Sequence, residues 1–413
     1  MSDRRVVITG MGAVTPLGSA LESFWRGLIR GQSGVHSIER YEESGYPVHF
    51  GAECRDFDPL AYIDRRRLKR LDRSAQLAVA AARMAADDSG IDFHAADPCR
   101  TAVVLGSGVG GLSTIEEQHL RLLQKGAKRV SAFTIARLML NAASGHISLD
   151  HNVKGPVISV ATACASSNNA LAEGVNCIRR NEVDIAFAGG TENAMSPLGI
   201  VAFSAMRALS LRNDDPQAAS RPFDRDRDGF VMGEGAGLMI LEELEHAKRR
   251  GARIHAEVVG FGCSADSYDI VQPHPDGEMA ARAIEQAMKM AQVGPDHVDL
   301  ISAHGTGTPL GDVAETRAIK RVFGSRAKQI PITATKSSIG HLLGACGGVE
   351  MITCILAIRD GVVPPTLNLE HPDPDCDLDY VPLEPRELRV NVAVNNSFGF
   401  GGHNAVVVIR RFE

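Results

Sequence analysis

An α/β fold, with parallel strands covered by helices, is the class this sequence predicts. Two observations carry the prediction. Short runs rich in Val, Ile and Thr alternate with Ala-rich stretches of helical periodicity along the whole chain. Glycine is abundant, 41 residues in 413, while aromatic residues make up only 5%, a balance that suits many tight strand-to-helix turns.

The first candidate strand is Arg5–Thr9, a short run broken by Gly10 and Gly12. Ser74–Ala86 reads as a helix because Ala is the strongest helix former. Thr101–Leu105 and Val157–Val160 are β-branched runs, and the second leads into a helical pattern over Ala165–Arg180. Asp184–Ala188 and Gly237–Leu241 complete the first set of strands. Lys248-Arg249-Arg250-Gly251 then interrupts the pattern. Beyond it come strands at Ala256–Gly260, Asp299–Ala303, Ile332–Thr335, Val392–Val394 and Ala405–Ile409, with helices over Glu278–Met290 and Gly347–Arg359. Five candidate strands fall on each side of this run, so the chain is expected to divide into residues 1–250 and 251–413.

Composition excludes several classes. A hydrophobic fraction of 44% and a charged fraction of 23% are those of a globular protein. A net charge of −6 gives no general attraction to nucleic acid or membrane. No run of about 18 apolar residues is present, so no transmembrane helix is expected. Met1-Ser2-Asp3-Arg4-Arg5 opens a poor leader-peptide core. The eight cysteines, at 54, 99, 164, 177, 263, 346, 354 and 376, form no CxxC pair. Reduced thiols in a cytoplasmic protein explain them better than a disulfide framework.

Some motifs are decoys. Gly106-Ser107-Gly108-Val109-Gly110-Gly111 matches GxGxxG after a strand, but no acidic residue follows in a clean βαβ unit, so dinucleotide binding is not expected. Asp224-Arg225-Asp226-Arg227-Asp228-Gly229 imitates the start of a calcium loop. Its twelfth position is Gly235 where a bidentate Glu is needed.

Chemistry concentrates at Cys164. The β-branched run ends, small residues turn the chain, and the thiol stands at the mouth of a helix. Unpaired N–H groups and the helix dipole there favour an anion, which predicts a lowered thiol pKa. His304 and His341 each lie just past the end of a strand, in Gly-rich loops that precede helical patterns. Ligand crevices in α/β sheets lie outside the carboxyl ends of strands, so the three residues point to the same kind of place. Zinc binding by this trio is set aside because the ligands are far apart in sequence, and no metal is expected.

Four motifs carry a family resemblance: Thr-Ala-Cys-Ala-Ser-Ser at 162–167, His-Gly-Thr-Gly-Thr-Pro at 304–309, Lys-Ser-Ser-Ile-Gly-His at 336–341 and Asn-Ser-Phe-Gly-Phe-Gly-Gly at 396–402. Together, and in this order, they resemble the β-ketoacyl-acyl-carrier-protein synthases, most closely the type II elongating kind. Arg221-Pro222-Phe223-Asp224 and Arg227-Asp228-Gly229-Phe230 add to it, and the resemblance covers almost the whole chain. It implies a thiolase-like fold, two similar βαβαβαββ halves in a five-layered α/β/α/β/α sandwich.

The same resemblance implies a decarboxylative condensation of an acyl thioester with a malonyl thioester. Both substrates are carried on the phosphopantetheine of acyl carrier protein, with no other cofactor. Cys164 would hold the acyl group. His304 and His341 would stabilise the enolate, and oxyanion donors of this kind are worth roughly 3–4 kcal/mol each. Two histidines, rather than His with Asn or a second Cys, favour the decarboxylating elongators. The N–H groups of Cys164 and Phe400 would form a second oxyanion hole, with glycines 399, 401 and 402 shaping the turn. Lys336 would hold the network, with Glu350 as partner. Thr306 and Thr308 would bind the phosphopantetheine amides. Val109, Phe133 and Phe203 would line the acyl pocket.

The basic run Arg65-Arg66-Arg67-Leu68-Lys69-Arg70 stands out in an acidic chain. The resemblance makes Arg66, Lys69, Arg70, Lys128, Arg129 and Arg207 a docking surface for the acidic carrier, and implies a homodimer. Two segments depart from the family. Ser131-Ala132-Phe133-Thr134-Ile135-Ala136-Arg137 lacks the usual prolines and one phenylalanine, and His403 stands where Thr is common. A ketosynthase of a specialised pathway is therefore an alternative. A non-catalytic chain-length-factor-like subunit is the other, and the presence of Cys164 argues against it.

Overall fold

A computed structural model describes residues 4–413. Met1, Ser2 and Asp3, which open the segment read against a leader peptide, lie outside the described residues. All ten expected strands form, and they join in one ten-stranded sheet. They are β1 (Val6–Val14), β2 (Thr101–Gly106), β3 (Val157–Val160), β4 (Ile185–Asn193) and β5 (Glu234–Glu243). Then follow β6 (Ala256–Ala265), β7 (Leu300–Ser302), β8 (Ile332–Thr333), β9 (Val392–Gly399) and β10 (His403–Arg410). The order across the sheet is β8-β7-β9-β10-β6-β1-β5-β4-β2-β3. Read outward from the centre, each half repeats one pattern. First strand, fifth, fourth, second and third lie side by side on the left as on the right.

The parallel pairing expected from the alternation holds only in part. Only β3/β2, β2/β4, β9/β7 and β7/β8 pair in parallel. The first, fifth and fourth strands of each half run antiparallel, and β1 meets β6 antiparallel where the halves join. Alternation of strands and helices cannot fix direction when some connections are tight turns, as the one from Gly399 to His403 is.

Four helices account for the layers: α1 (Arg73–Ser89), α2 (Ser166–Arg179), α3 (Glu278–Ala291) and α4 (Cys346–Asp360). Side chains alternate across each strand, so Met239 and Leu241 of β5 enter a central core while Leu238 and Ile240 face an outer one. In the second half Val407 and Ile409 of β10 face inward, while Val406 and Val408 face outward. The central core holds α2 and α4, packed on each other. The outer cores hold α1 on one side and α3 on the other. α4 is buried all round from Cys346 to Ile358, as its apolar composition requires.

β1 runs through Gly10 and Gly12 instead of ending before them. The reason is a close approach by α1. A Cβ at Gly10 would lie 2.1 Å from the Ala85 carbonyl oxygen, and one at Gly12 the same distance from that of Ala81. β6 repeats the device, with Gly260 against the Ala287 carbonyl at 2.2 Å and Gly262 against that of Ala283 at 2.1 Å. No helix among the described residues is long and apolar enough to cross a membrane. All eight cysteines are free of disulfides.

Candidate active site

Cys164 follows β3 and immediately precedes Ala165, which caps α2. The chain reaches it through Ala163, held at φ +48°, a left-handed conformation that costs energy outside glycine and is common at functional sites. The backbone N–H groups of Phe400 and of Cys164 itself point at the sulfur. Gly399 makes that approach available, because a Cβ there would sit 2.8 Å from Thr162 O and 3.0 Å from Cys164 N. Gly401 and Gly402, at φ +81° and +72°, turn the loop back into β10.

His341 Nε2 lies 3.1 Å from Cys164 Sγ. The Leu343 N–H donates to His341 Nδ1 at 3.2 Å, so Nδ1 presents a lone pair. A neutral ring then carries its proton on Nε2, aimed at the sulfur. His304 follows β7. Its backbone N–H and that of Gly305 each donate to the Glu315 carboxylate at 2.8 Å, which fixes the loop. His304 Nδ1 is buried and has no partner. The two imidazoles meet edge to face with centroids 5.5 Å apart.

Lys336 and Glu350 form a buried ion pair behind the histidines. Burial pulls the Lys336 ammonium down, but the Glu350 carboxylate paired with it outweighs this and holds the charge. Burial and then this ammonium push both imidazole pKa values well below the ordinary histidine range, so both rings rest neutral. The Cys164 thiol departs from expectation. Burial pushes it up to about 12, with Lys336 and the N–H of Phe400 pulling the other way. The helix mouth still favours a thiolate, but Cys164 is only 5% exposed and the lost solvation of the anion outweighs it. The resting site is a thiol between neutral rings.

A cavity of about 450 Å³ opens onto this centre. Cys164, His304, His341, Phe400, Thr306, Thr308, Val109, Phe203 and Arg207 all line it. Thr306 and Thr308 hydroxyls lie 3.0 Å apart, and Thr308 also caps the helix Pro309–Phe323 by accepting from the Gly311 N–H. Phe133 does not line the cavity of its own chain. Its ring is 42% exposed and lies under the Arg70 guanidinium. Arg66, Lys69 and Arg70 are exposed at the short helix Arg65–Leu68, and Lys128 and Arg129 are exposed nearby along the chain segment that carries Phe133. Arg67 turns away to pair with Asp150.

Sequence distance misleads at two places in the chain. The donor atoms of Cys164, His304 and His341 lie within 4.8 Å of one another, so remoteness along the chain was no reason to set a metal aside. The Gly106–Gly111 loop does cradle a carboxylate, but an internal one. Gly108, Val109 and Gly110 donate backbone N–H groups to Glu192, and so does Gly344. Glu192, Glu315 and Cys346 had not been singled out. Glu192 acts from β4 onto a loop remote in sequence, and Glu315 and Cys346 act from inside helices. The available signal was a buried polar stripe, Asp312, Glu315 and Thr316, on the helix Pro309–Phe323.

With the geometry in place, comparison with known proteins gives a consistent picture. Residues 3–247 match the model of the β-ketoacyl synthase N-terminal domain, and residues 255–370 match that of its C-terminal domain. The chain is 46% identical to 3-oxoacyl-[acyl-carrier-protein] synthase 2 of Coxiella burnetii, over 100% of this chain and 99% of that protein. It is 45% identical to the protein of the same name from Staphylococcus aureus, with the same coverage. Among solved structures, a β-ketoacyl synthase from Burkholderia phymatum superposes with a TM-score of 0.93 at 36% identity, over 99% of this chain and 100% of that one. A type II PKS acyl-carrier protein in complex with its ketosynthase, bound to the hexaketide, matches with TM-score 0.93 at 34% identity and full coverage of both chains.

Proposed function

The chain belongs to the β-ketoacyl synthase family, and from that premise we propose that it is a 3-oxoacyl-[acyl-carrier-protein] synthase of the elongating, decarboxylating kind. The fold is thiolase-like, and we place the division between its halves near residue 250. One observation carries the reading: a thiol, two neutral imidazoles and two backbone N–H groups converge on one cavity.

The chemistry follows from the atoms. The Cys164 sulfur attacks the carbonyl of an acyl-carrier thioester, and the carrier thiol departs with the proton that Cys164 gives up. The Cys164 and Phe400 N–H groups hold the oxyanion of that step. A malonyl thioester then enters. Its carboxylate leaves as CO₂, and the negative charge moves to the thioester oxygen as an enolate. His341 offers its Nε2–H and His304 an N–H to that oxygen. Because both rings are neutral, they donate hydrogen bonds without surrendering a proton. The enolate carbon attacks the acyl carbonyl, the Cys164 thiolate leaves, and a proton from solvent restores the thiol.

The carrier, presented as phosphopantetheine thioester, docks on Arg66, Lys69, Arg70, Lys128, Arg129 and Arg207, an exposed basic set on an acidic chain. Thr306 and Thr308 receive the arm. Val109 and Phe203 bound the acyl chain. Edge strand β3 has no neighbour beyond it, and Val157, Leu123, Phe133 and Ile135 are exposed apolar residues. This supports a homodimer that covers them and brings Phe133 toward the partner's pocket. Identity of 45–46% to proteins named 3-oxoacyl-[acyl-carrier-protein] synthase 2, against 34% to the PKS ketosynthase, supports fatty acid elongation, which we place in the cytoplasm.

Purified protein supplied with acyl- and malonyl-carrier protein should form 3-oxoacyl-carrier protein and CO₂ in equal amounts. A transfer of the acyl group with no CO₂ released would contradict the reading.

A further inference from the structure

His341 has a sulfur on each side. Cys164 Sγ lies 3.1 Å from Nε2, and Cys346 Sγ lies 3.1 Å from Nδ1. The Leu342 N–H donates to Cys346 Sγ at 3.1 Å, so a sulfur lone pair is engaged by the backbone and the S–H proton is left over. Its nearest acceptor is Nδ1. The Leu343 N–H faces the same nitrogen at 3.2 Å and favours a lone pair there over an Nδ1–H directed at sulfur, so the two donors share that lone pair. Leu343 itself adopts φ +47°, a strained conformation for a bulky residue.

We propose that Cys346 is a positioning residue. Its S–H, together with the Leu343 N–H, locks His341 in the tautomer that carries its proton on Nε2, facing Cys164. The proposal rests on the functional reading above, because it concerns the donor that the enolate needs. Other roles for Cys346 fit less well. It is fully buried and absent from the cavity lining, so it is no second nucleophile. It sits at the first residue of α4, where every residue to Ile358 is buried. Burial pushes its thiol well up, and although Lys336 pulls the other way the proton stays on sulfur. A cysteine that merely filled space would make apolar contacts, whereas this one is in hydrogen-bond contact with Nδ1 and with the Leu342 N–H.

The test uses Cys346→Ser, which keeps a donor, against Cys346→Ala and Cys346→Val, which remove it at smaller and at similar volume. One neutral hydrogen bond predicts about a fivefold loss in kcat of CO₂ release from malonyl-carrier protein in the Ala and Val variants. KM should be unchanged and the Ser variant should recover the rate. In ¹⁵N-histidine-labelled full-length protein, His341 should show a Nδ1–H fraction in the Ala and Val variants and none in the Ser variant. An unchanged tautomer in both Ala and Val variants overturns the role of Cys346 whatever the activity. So does an equal loss of rate in all three variants. Failure of the unaltered protein to release CO₂, with the tautomer responding as expected, would instead overturn the proposed activity and leave the Cys346 hydrogen bond standing.

Discussion

The two halves share a scaffold and divide the chemistry. Each has the same strand order, and each packs a helix against a Gly-x-Gly strand, Gly10 and Gly12 in one and Gly260 and Gly262 in the other. Each buries a carboxylate that holds the loop after its second strand, Glu192 for the loop after β2 and Glu315 for the loop after β7. Each sends its third strand toward a central helix, β3 toward α2 and β8 toward α4. Yet the first half supplies the sulfur, and the second supplies both imidazoles and the ammonium. Duplicated architecture therefore fixes where groups converge, while local residues decide what each half contributes.

The sharpest asymmetry is the Lys336–Glu350 pair, which belongs to the second half alone. Glu350→Ala leaves an ammonium buried without a partner, which costs about 3–5 kcal/mol. Denaturant unfolding should show it. Lys336→Met should cost less, because burial raises the Glu350 pKa and a carboxyl left without the ammonium can take up a proton and stay buried as a neutral group. Equal losses from the two variants would mean that the pair does not behave as a buried ion pair.

The shared scaffold makes a paired prediction of intermediate size. Gly12→Ala and Gly262→Ala each drive a methyl group into a helix carbonyl at 2.1 Å. Each should destabilise by about 1–3 kcal/mol, and by similar amounts. A large loss in one and none in the other would break the equivalence of the halves.

Smaller again is a pH effect. Burial and then Lys336 hold His341 and His304 neutral, so CO₂ release should stay flat as pH falls through the range where an ordinary histidine protonates. Removing the ammonium makes imidazolium easier to form, which raises the histidine pKa. Lys336→Met should thus lose CO₂ release at a higher pH than the unaltered enzyme, as a pH–rate profile would record. An acid limb that moved downward would contradict the electrostatic account.

The smallest effect concerns the first half's surface. Charge reversal at Arg66, Lys69 and Arg70 should raise KM for carrier-bound substrate several-fold and leave a small acyl thioester unaffected. Equal loss with both substrates would remove the docking assignment.

What could be read from the chain follows the range of each interaction. Cys164, His304 and His341 were legible because each follows a β-branched strand and a small-residue turn, signals contained in a few neighbouring positions. The strands themselves were legible, though β1 was cut short because Gly10 looked like a breaker until α1 was seen lying on it. Strand direction was not, since periodicity is the same forward and backward. Glu192 and Glu315 stayed hidden because their partners, loop N–H groups, leave no mark in side-chain pattern. The Cys164 pKa was misjudged because helix position is local but burial is a property of the whole fold.

The central claim is that Cys164 holds the acyl group while His304 and His341 make the enolate. It is tested most directly by radiolabelled CO₂ release measured beside mass spectrometry of the acyl-enzyme. Cys164→Ala should abolish condensation and still release CO₂ from malonyl-carrier protein. A variant with both histidines replaced by Ala should still accept an acyl group on Cys164, more slowly, and release no CO₂. Full condensation by Cys164→Ala, or an undiminished rate of CO₂ release by the double histidine variant, would contradict the division of labour between the two halves.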